Sequence, residues 1–240
     1  YMPSYGAISP MPQQTAFFLR GDSLLVAASL GLVDHMLVAG VALSTSEREP
    51  PMTALVTDAS GPFRVERLVP RERYLVSVEA VAPGGGAHRA RFGHGLPDPG
   101  EGGLQMSDVM LFRWADGLEH DYEAVFPHML GTDRVRRGEP LGVYWETYGL
   151  EEGRAVEVRV QLGRTDRGLF RRLGEALRLV GTERPVSVRW TVPDEDVQVG
   201  RHMRLDFGSQ SPGRYELLLE VEDGEGGRAS ASRTIEIVDA

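Results

Sequence analysis

Arg73-Tyr74-Leu75-Val76-Ser77-Val78-Glu79, then Pro83-Gly84-Gly85-Gly86, then Arg89-Ala90-Arg91, has a counterpart further along the chain. That counterpart is Arg214-Tyr215-Glu216-Leu217-Leu218-Leu219-Glu220, then Asp223-Gly224-Glu225-Gly226-Gly227, then Arg228-Ala229-Ser230. Each copy opens a strand on Arg-Tyr, turns through glycines and returns as a second strand. Such a pair reads as a closing hairpin, and two of them a domain's length apart predict two β-sandwich modules in tandem. In the second copy Leu217, Leu219 and Val221 alternate with Glu216, Leu218, Glu220 and Glu222, so one face is apolar and the other, mostly acidic, faces water. Tyr215 stands at the strand entry, where a sandwich often anchors a corner through a tyrosine hydroxyl.

Working outward, glycine, proline and aspartate punctuate short apolar runs along the whole chain. The predicted strands of the first module are 16–19, 24–30, 36–43, 52–56, 63–68, 74–81 and 87–92. Those of the second are 107–113, 141–148, 156–162, 186–192, 202–207, 215–222 and 229–238. Gly95-Leu-Pro-Asp-Pro-Gly-Glu-Gly-Gly103 reads as the connection between them. The expected organisation is an extended Pro-rich segment over 1–14, an immunoglobulin-like sandwich over 15–95, a linker over 96–103 and a second sandwich over 104–240. Leu169, Phe170, Leu173, Ala176, Leu177 and Val180 break the β pattern with helical spacing, so an all-β fold is expected with one short amphipathic helix in the second module.

Composition narrows the function classes. The 240 residues carry a formal charge of −9, which argues against nucleic acid and against simple adhesion to an anionic membrane. All 26 basic residues are arginine, and Lys, Asn and Cys are absent. The first reading of that bias is a GC-rich genome. No Cys means no disulfide framework, thiolate nucleophile or Cys-ligated zinc. The stretch 23–43 approaches membrane-spanning length, but Asp34 and His35 at its middle favour two strands joined by a turn, with no direct membrane span. The chain opens on Tyr1 rather than Met, which reads as a processed product or a fragment.

No GxSxG elbow, Walker loop, HExxH or Cys pair occurs, so neither a catalytic residue nor a cofactor is expected. Weaker constellations remain. Glu119-His120-Asp121-Tyr122-Glu123 with His128 concentrates imidazole and carboxylate groups that suit a divalent metal, though a solvated acidic connection explains them as well. Asp194-Glu195-Asp196 and the Asp223 loop lack the spacing of a calcium loop. In Leu141-Gly142-Val143-Tyr144-Trp145-Glu146-Thr147-Tyr148, alternation puts Tyr144, Glu146 and Tyr148 on one face. Trp145 then faces the core, and Tyr144 with Tyr148 is expected to form an outward aromatic stripe. Trp114 and Trp190 are further aromatic candidates, and Arg136, Arg137, Phe170, Arg171 and Arg172 are candidate contact residues.

The runs Leu104-Gln-Met-Ser107-Asp108-Val-Met-Leu111, Arg134 to Tyr148 and Pro212-Gly-Arg-Tyr215 resemble the β-sandwich regions of bacterial GWxTD-domain-type exported proteins. The likeness covers the second module and, more faintly, the first. The Gly-Trp-x-Thr-Asp signature itself is absent, so no residue roles carry over. The resemblance implies an extracytoplasmic, periplasmic sandwich protein. The expected function is a non-enzymatic structural or interaction subunit that docks onto other protein subunits of a larger membrane-associated assembly. A carbohydrate- or ligand-binding module is the alternative, and a metal-dependent hydrolase the second alternative.

Overall fold

The computed structural model describes residues 8–9, 12–31, 36–46, 50–59, 63–81, 87–96, 103–150, 156–165, 186–192 and 200–239. It is all-β, with two compact immunoglobulin-like units: residues 1–97 with 110–133, and residues 98–109 with 134–240. The segment 110–133, expected in the second sandwich, is grouped by its contacts with the first unit. The expected helix over 169–180 and the linker positions 97–102 lie outside the described residues.

In the first unit β1 (Ile8–Ser9), β8 (Ala87–His94), β7 (Tyr74–Val81), β4 (Met36–Ser44) and β5 (Met52–Ala59) form one sheet in that order. β2 (Gln13–Arg20), β3 (Ser23–Leu30) and β6 (Phe63–Pro70) form the other. Gly21, at φ 59°, makes the tight turn from β2 to β3. Alternation decides which side chains face inward. Phe17 from β2, Leu24, Val26, Ala28 and Leu30 from β3, Val41 and Leu43 from β4, and Tyr74, Val76 and Val78 from β7 close one core. Each such burial contributes roughly 1.5–3 kcal/mol for the larger aliphatic and aromatic side chains.

The outer side of the β2–β3–β6 sheet is covered by residues 110–133, which sequence periodicity did not place there. These include β10 (Met110–Arg113), a single helical turn α1 (Tyr122–Val125) and a 3₁₀ turn over Phe126–His128. Gln14, fully buried, holds the segment much as a strand backbone would. Its amide donates to Leu111 O at 2.8 Å and Leu130 O at 2.7 Å, and its carbonyl accepts from Leu111 N at 2.6 Å. Ser29 Oγ and Arg64 Nε both donate to Met129 O. Tyr122 donates to Glu66 Oε2 at 2.9 Å, packs edge-on against Phe18 and lies under Arg20. Burial first, then the bond to Glu66 and its charge, push the Tyr122 phenol well above the tyrosine range, so it remains a donor.

The second unit repeats the connectivity. β11 (Arg134–Arg136), β17 (Arg228–Val238), β16 (Gly213–Asp223), β13 (Val156–Arg164) and β14 (Val186–Val192) form one sheet in that order. β12 (Leu141–Tyr148) pairs antiparallel with both β9 (Gln105–Met106) and β15 (Gly200–Leu205). Val156, Val158 and Val160 of β13, Leu217, Leu219 and Val221 of β16, and Ile235 and Ile237 of β17 fill its core with Trp145. Each unit adds a short strand parallel to its last hairpin strand, β1 on β8 and β11 on β17. Neither of these was predicted, because two or three residues leave no readable period.

Candidate functional site

The expected aromatic stripe on β12 needs correction. Tyr144 is 1% exposed, and Tyr148 is half-buried. Glu146 lies between them at 2% exposure, accepting from the Tyr144 hydroxyl at 2.8 Å and the Tyr148 hydroxyl at 2.5 Å. A carboxylate that far from water is expensive unless its oxygens are hydrogen-bonded, and the two flanking phenols on the same strand face meet that need. The stripe is thus a closed polar ladder. Trp145, 1% exposed, is the core residue it was expected to be, although its Nε1 has no hydrogen-bond partner among the described residues.

The remaining candidates are dispersed. Trp114 stands beyond β10 in the first unit, half-buried, donating through Nε1 to Asp116 Oδ1 at 2.9 Å and tilted against Phe112. Arg136 and Arg137 are exposed in the second unit at and just after β11. Each already has an acidic partner, Glu139 at 3.8 Å and Asp239 at 3.3 Å respectively. Phe170, Arg171 and Arg172 lie outside the described residues, as do Asp34, His35 and Asp194 to Asp196.

Asp121 caps α1, its Oδ1 accepting from Ala124 N at 2.7 Å, and Tyr122 is turned inward. Among the described residues no three His, Asp or Glu side chains are grouped to hold a metal ion. Asp223 Oδ1 accepts from Glu225 N and Gly227 N, so that loop satisfies its own carboxylate.

What the structure does bring together is the outer face of the second unit's five-stranded sheet. Strand register sets Glu157 opposite Glu222, Arg159 opposite Glu220 and Arg159 opposite Arg189. Like charges directly opposed are unfavourable, and here each is offset by a diagonal or lateral partner. Arg189 bonds Glu157, while Arg159 reaches Glu157 at 3.7 Å and Glu220 at 3.6 Å. Arg228 bonds Glu222 at 2.9 Å. A hollow of about 310 Å³ lies among Glu157, Arg159, Glu220, Glu222, Arg228 and Ser230. The acidic row on β16 was legible from alternation, but its arginine partners come from strands remote in sequence.

The matching face of the first unit differs. There Leu75 and Val81 are 39% and 38% exposed at the two ends of β7. Between them Glu79 pairs with Arg89 at 3.0 Å and accepts from Ser77. Partial burial raises the Glu79 pKa. The bonds from Ser77 and Arg89 and the charges of Arg89 and Arg91 outweigh that and hold it below the usual carboxylate value.

No family model matches the sequence. No curated protein matches it either. Among solved structures, the chain is similar to a tetra-tandem repeat in the extending region of a large adhesion protein. The identity is 10%, the TM-score 0.30, and the match covers 95% of this chain. The chain spans 49% of that structure's length. It is also similar to the receptor tyrosine kinase Torso solved for neurohormone perception, at 6% identity and TM-score 0.29, covering 98% of this chain and 77% of that one. Likeness at these TM-scores bears on neither the fold nor the function. No helix among the described residues is long and apolar enough to cross a membrane.

Proposed function

We propose that this chain is a non-enzymatic interaction subunit that docks, through the outer face of its second five-stranded sheet, onto other protein subunits of a larger extracytoplasmic, membrane-associated assembly. One observation carries the reading. Five charged side chains on three neighbouring strands line an open hollow, and Arg189 on a fourth strand pairs with one of them, Glu157. A patterned charge array suits orientation and selection of a protein partner, since rim charges act mainly on encounter rate and register. Tyr144, which a sugar platform on β12 would need, is drawn inward instead, and this weakens the ligand-binding alternative. The setting at a membrane-associated assembly outside the cytoplasm rests on the resemblance to GWxTD-type exported proteins.

The test is the native mass of the chain in a gentle detergent extract of its source cells, with mass spectrometry of whatever travels with it. A stoichiometric complex that the double variant Glu220→Arg, Glu222→Arg dissociates supports the reading. A free species near the 26.4 kDa of the chain alone overturns it.

A further inference from the structure

Two arginines come together in the first unit, where the 110–133 segment crosses β6. Arg64, on β6, is half-buried, and its Nε donates at 3.0 Å to Met129 O, the carbonyl that also accepts from Ser29 Oγ. Phe112 bridges Met129 in antiparallel fashion, so Arg113, the next residue and the last of β10, follows directly on the pair that holds Arg64. Phe112 and Met129 are fully buried, which fixes this stretch of backbone, whereas Arg113 is exposed.

The two cations are near enough to act on one another. Burial first, and then the charge of Arg113, lower the Arg64 pKa. Elsewhere guanidinium groups face carboxylates: Arg89 has Glu79, Arg134 has Glu236 and Arg189 has Glu157. Arg64 and Arg113 form no ion pair among the described residues. The acidic residues closest to them in sequence are engaged otherwise, Glu66 accepting from the Tyr122 hydroxyl and Asp116 from Trp114 Nε1. A half-buried cation beside a like charge is unfavourable unless an anion offsets it. With its Nε committed, Arg64 retains its Nη donors, and Arg113 adds a second planar fork. Such forks match the oxygens of a carboxylate or a phosphate.

We infer that Arg64 and Arg113 form a binding site for an oxyanion, supplied as a carboxylate by a partner protein or as free phosphate. The bound group would accept from both guanidinium groups and tie β10 to β6. The site is separate from the charged face of the second unit and does not rest on the reading given to that face.

The experiment titrates the full chain, isotope-labelled for nuclear magnetic resonance, with inorganic phosphate and separately with glutarate. Sodium chloride is withdrawn in step so that ionic strength stays constant. The Nε–H signals of Arg64 and Arg113 should shift saturably, while that of Arg136, already paired with Glu139, should move little. Arg113→Gln, a change at an exposed position, should leave the fold intact and weaken the anion by roughly two- to fivefold, the range of an exposed ion pair. Tighter binding of phosphate than of glutarate supports the site and makes phosphate its ligand. The reverse order supports it with a partner's carboxylate as the ligand. Absence of saturation, shifts of the same size at Arg136, or indifference to Arg113→Gln would mean an adventitious ion only and overturn the proposal.

Discussion

In the first unit the Tyr74 hydroxyl donates to Pro70 O at 2.8 Å, and in the second the Tyr215 hydroxyl donates to Ser211 O at 2.8 Å. Both span four residues backward from the first or third position of the penultimate strand, and both close the same corner of the same connectivity. Around this shared frame the units diverge. The first has its three-stranded sheet covered by residues 110–133, and its five-stranded sheet shows exposed Leu75 and Val81 around the Glu79–Arg89 ion pair. The second presents a charge array on its five-stranded sheet. The difference teaches that connectivity and corner chemistry specify the sandwich, while the outward residues of each strand are free to specify a surface.

The largest expected effect tests the cover on the first unit. A Cβ on Gly131 would stand 2.1 Å from Leu30 C and 2.2 Å from Gly31 N, both backbone atoms. Gly131→Ala should destabilise the first unit by about 3 kcal/mol, at the upper end of ordinary overpacking. Hydrogen exchange should accelerate in β3 and β6 and stay unchanged in β16 and β17. Unchanged protection of β3 would mean that the cover is not seated as described.

The corner bonds come next. Tyr74→Phe and Tyr215→Phe should each cost about 1 kcal/mol, the net worth of one hydrogen bond. If the units are energetically separate, amide protection should fall in β7 for the first variant and in β16 for the second. Equal loss in both strands from either variant would make the two sandwiches one cooperative unit.

The third prediction separates the outer faces by acid. Glu79 has a folded pKa below its ordinary value, so its contribution to stability is present above the ordinary glutamate range and is lost as pH falls through the depressed value. Acid melting of the first unit should therefore be less steep in Glu79→Gln, with the second unit unaffected. An identical acid limb in the variant would remove Glu79 from the account.

The smallest effect belongs to the charge array. Arg189, Arg159 and Glu157 are 59%, 31% and 25% exposed, so solvent and salt screen them. Glu157→Gln should change stability by less than about 1 kcal/mol, and that difference should shrink as salt is raised. A larger, salt-insensitive loss would mean that the array holds the sheet together rather than serving the surface.

Several elements were legible because their cause is local. Tyr74–Val81, Leu141–Tyr148 and Val186–Val192 have the ends expected from alternation and flanking turn residues. Tyr215 was placed correctly from its position at a strand entry. The stripe on β12 failed for an equally clear reason. Alternation correctly put Tyr144, Glu146 and Tyr148 on one face, but it cannot report that this face is buried. A carboxylate between two tyrosines in sequence was in hindsight the available sign, because it can satisfy both hydroxyls without solvent. The Arg189–Glu157–Arg159 group could not be read at all, since it depends on the register of β13 against β14.

By itself, the sequence determined the all-β class, the repeated corner hairpin and the core rows, because period-two alternation and glycine turns act over a few residues. Only the tertiary structure decided where residues 110–133 pack, which face of β12 is closed and which charges meet on β13, β14 and β16. Those outcomes rest on contacts between residues far apart in the chain, such as Gln14 with Leu111 and Leu130, and on strand register. No local pattern encodes either of them.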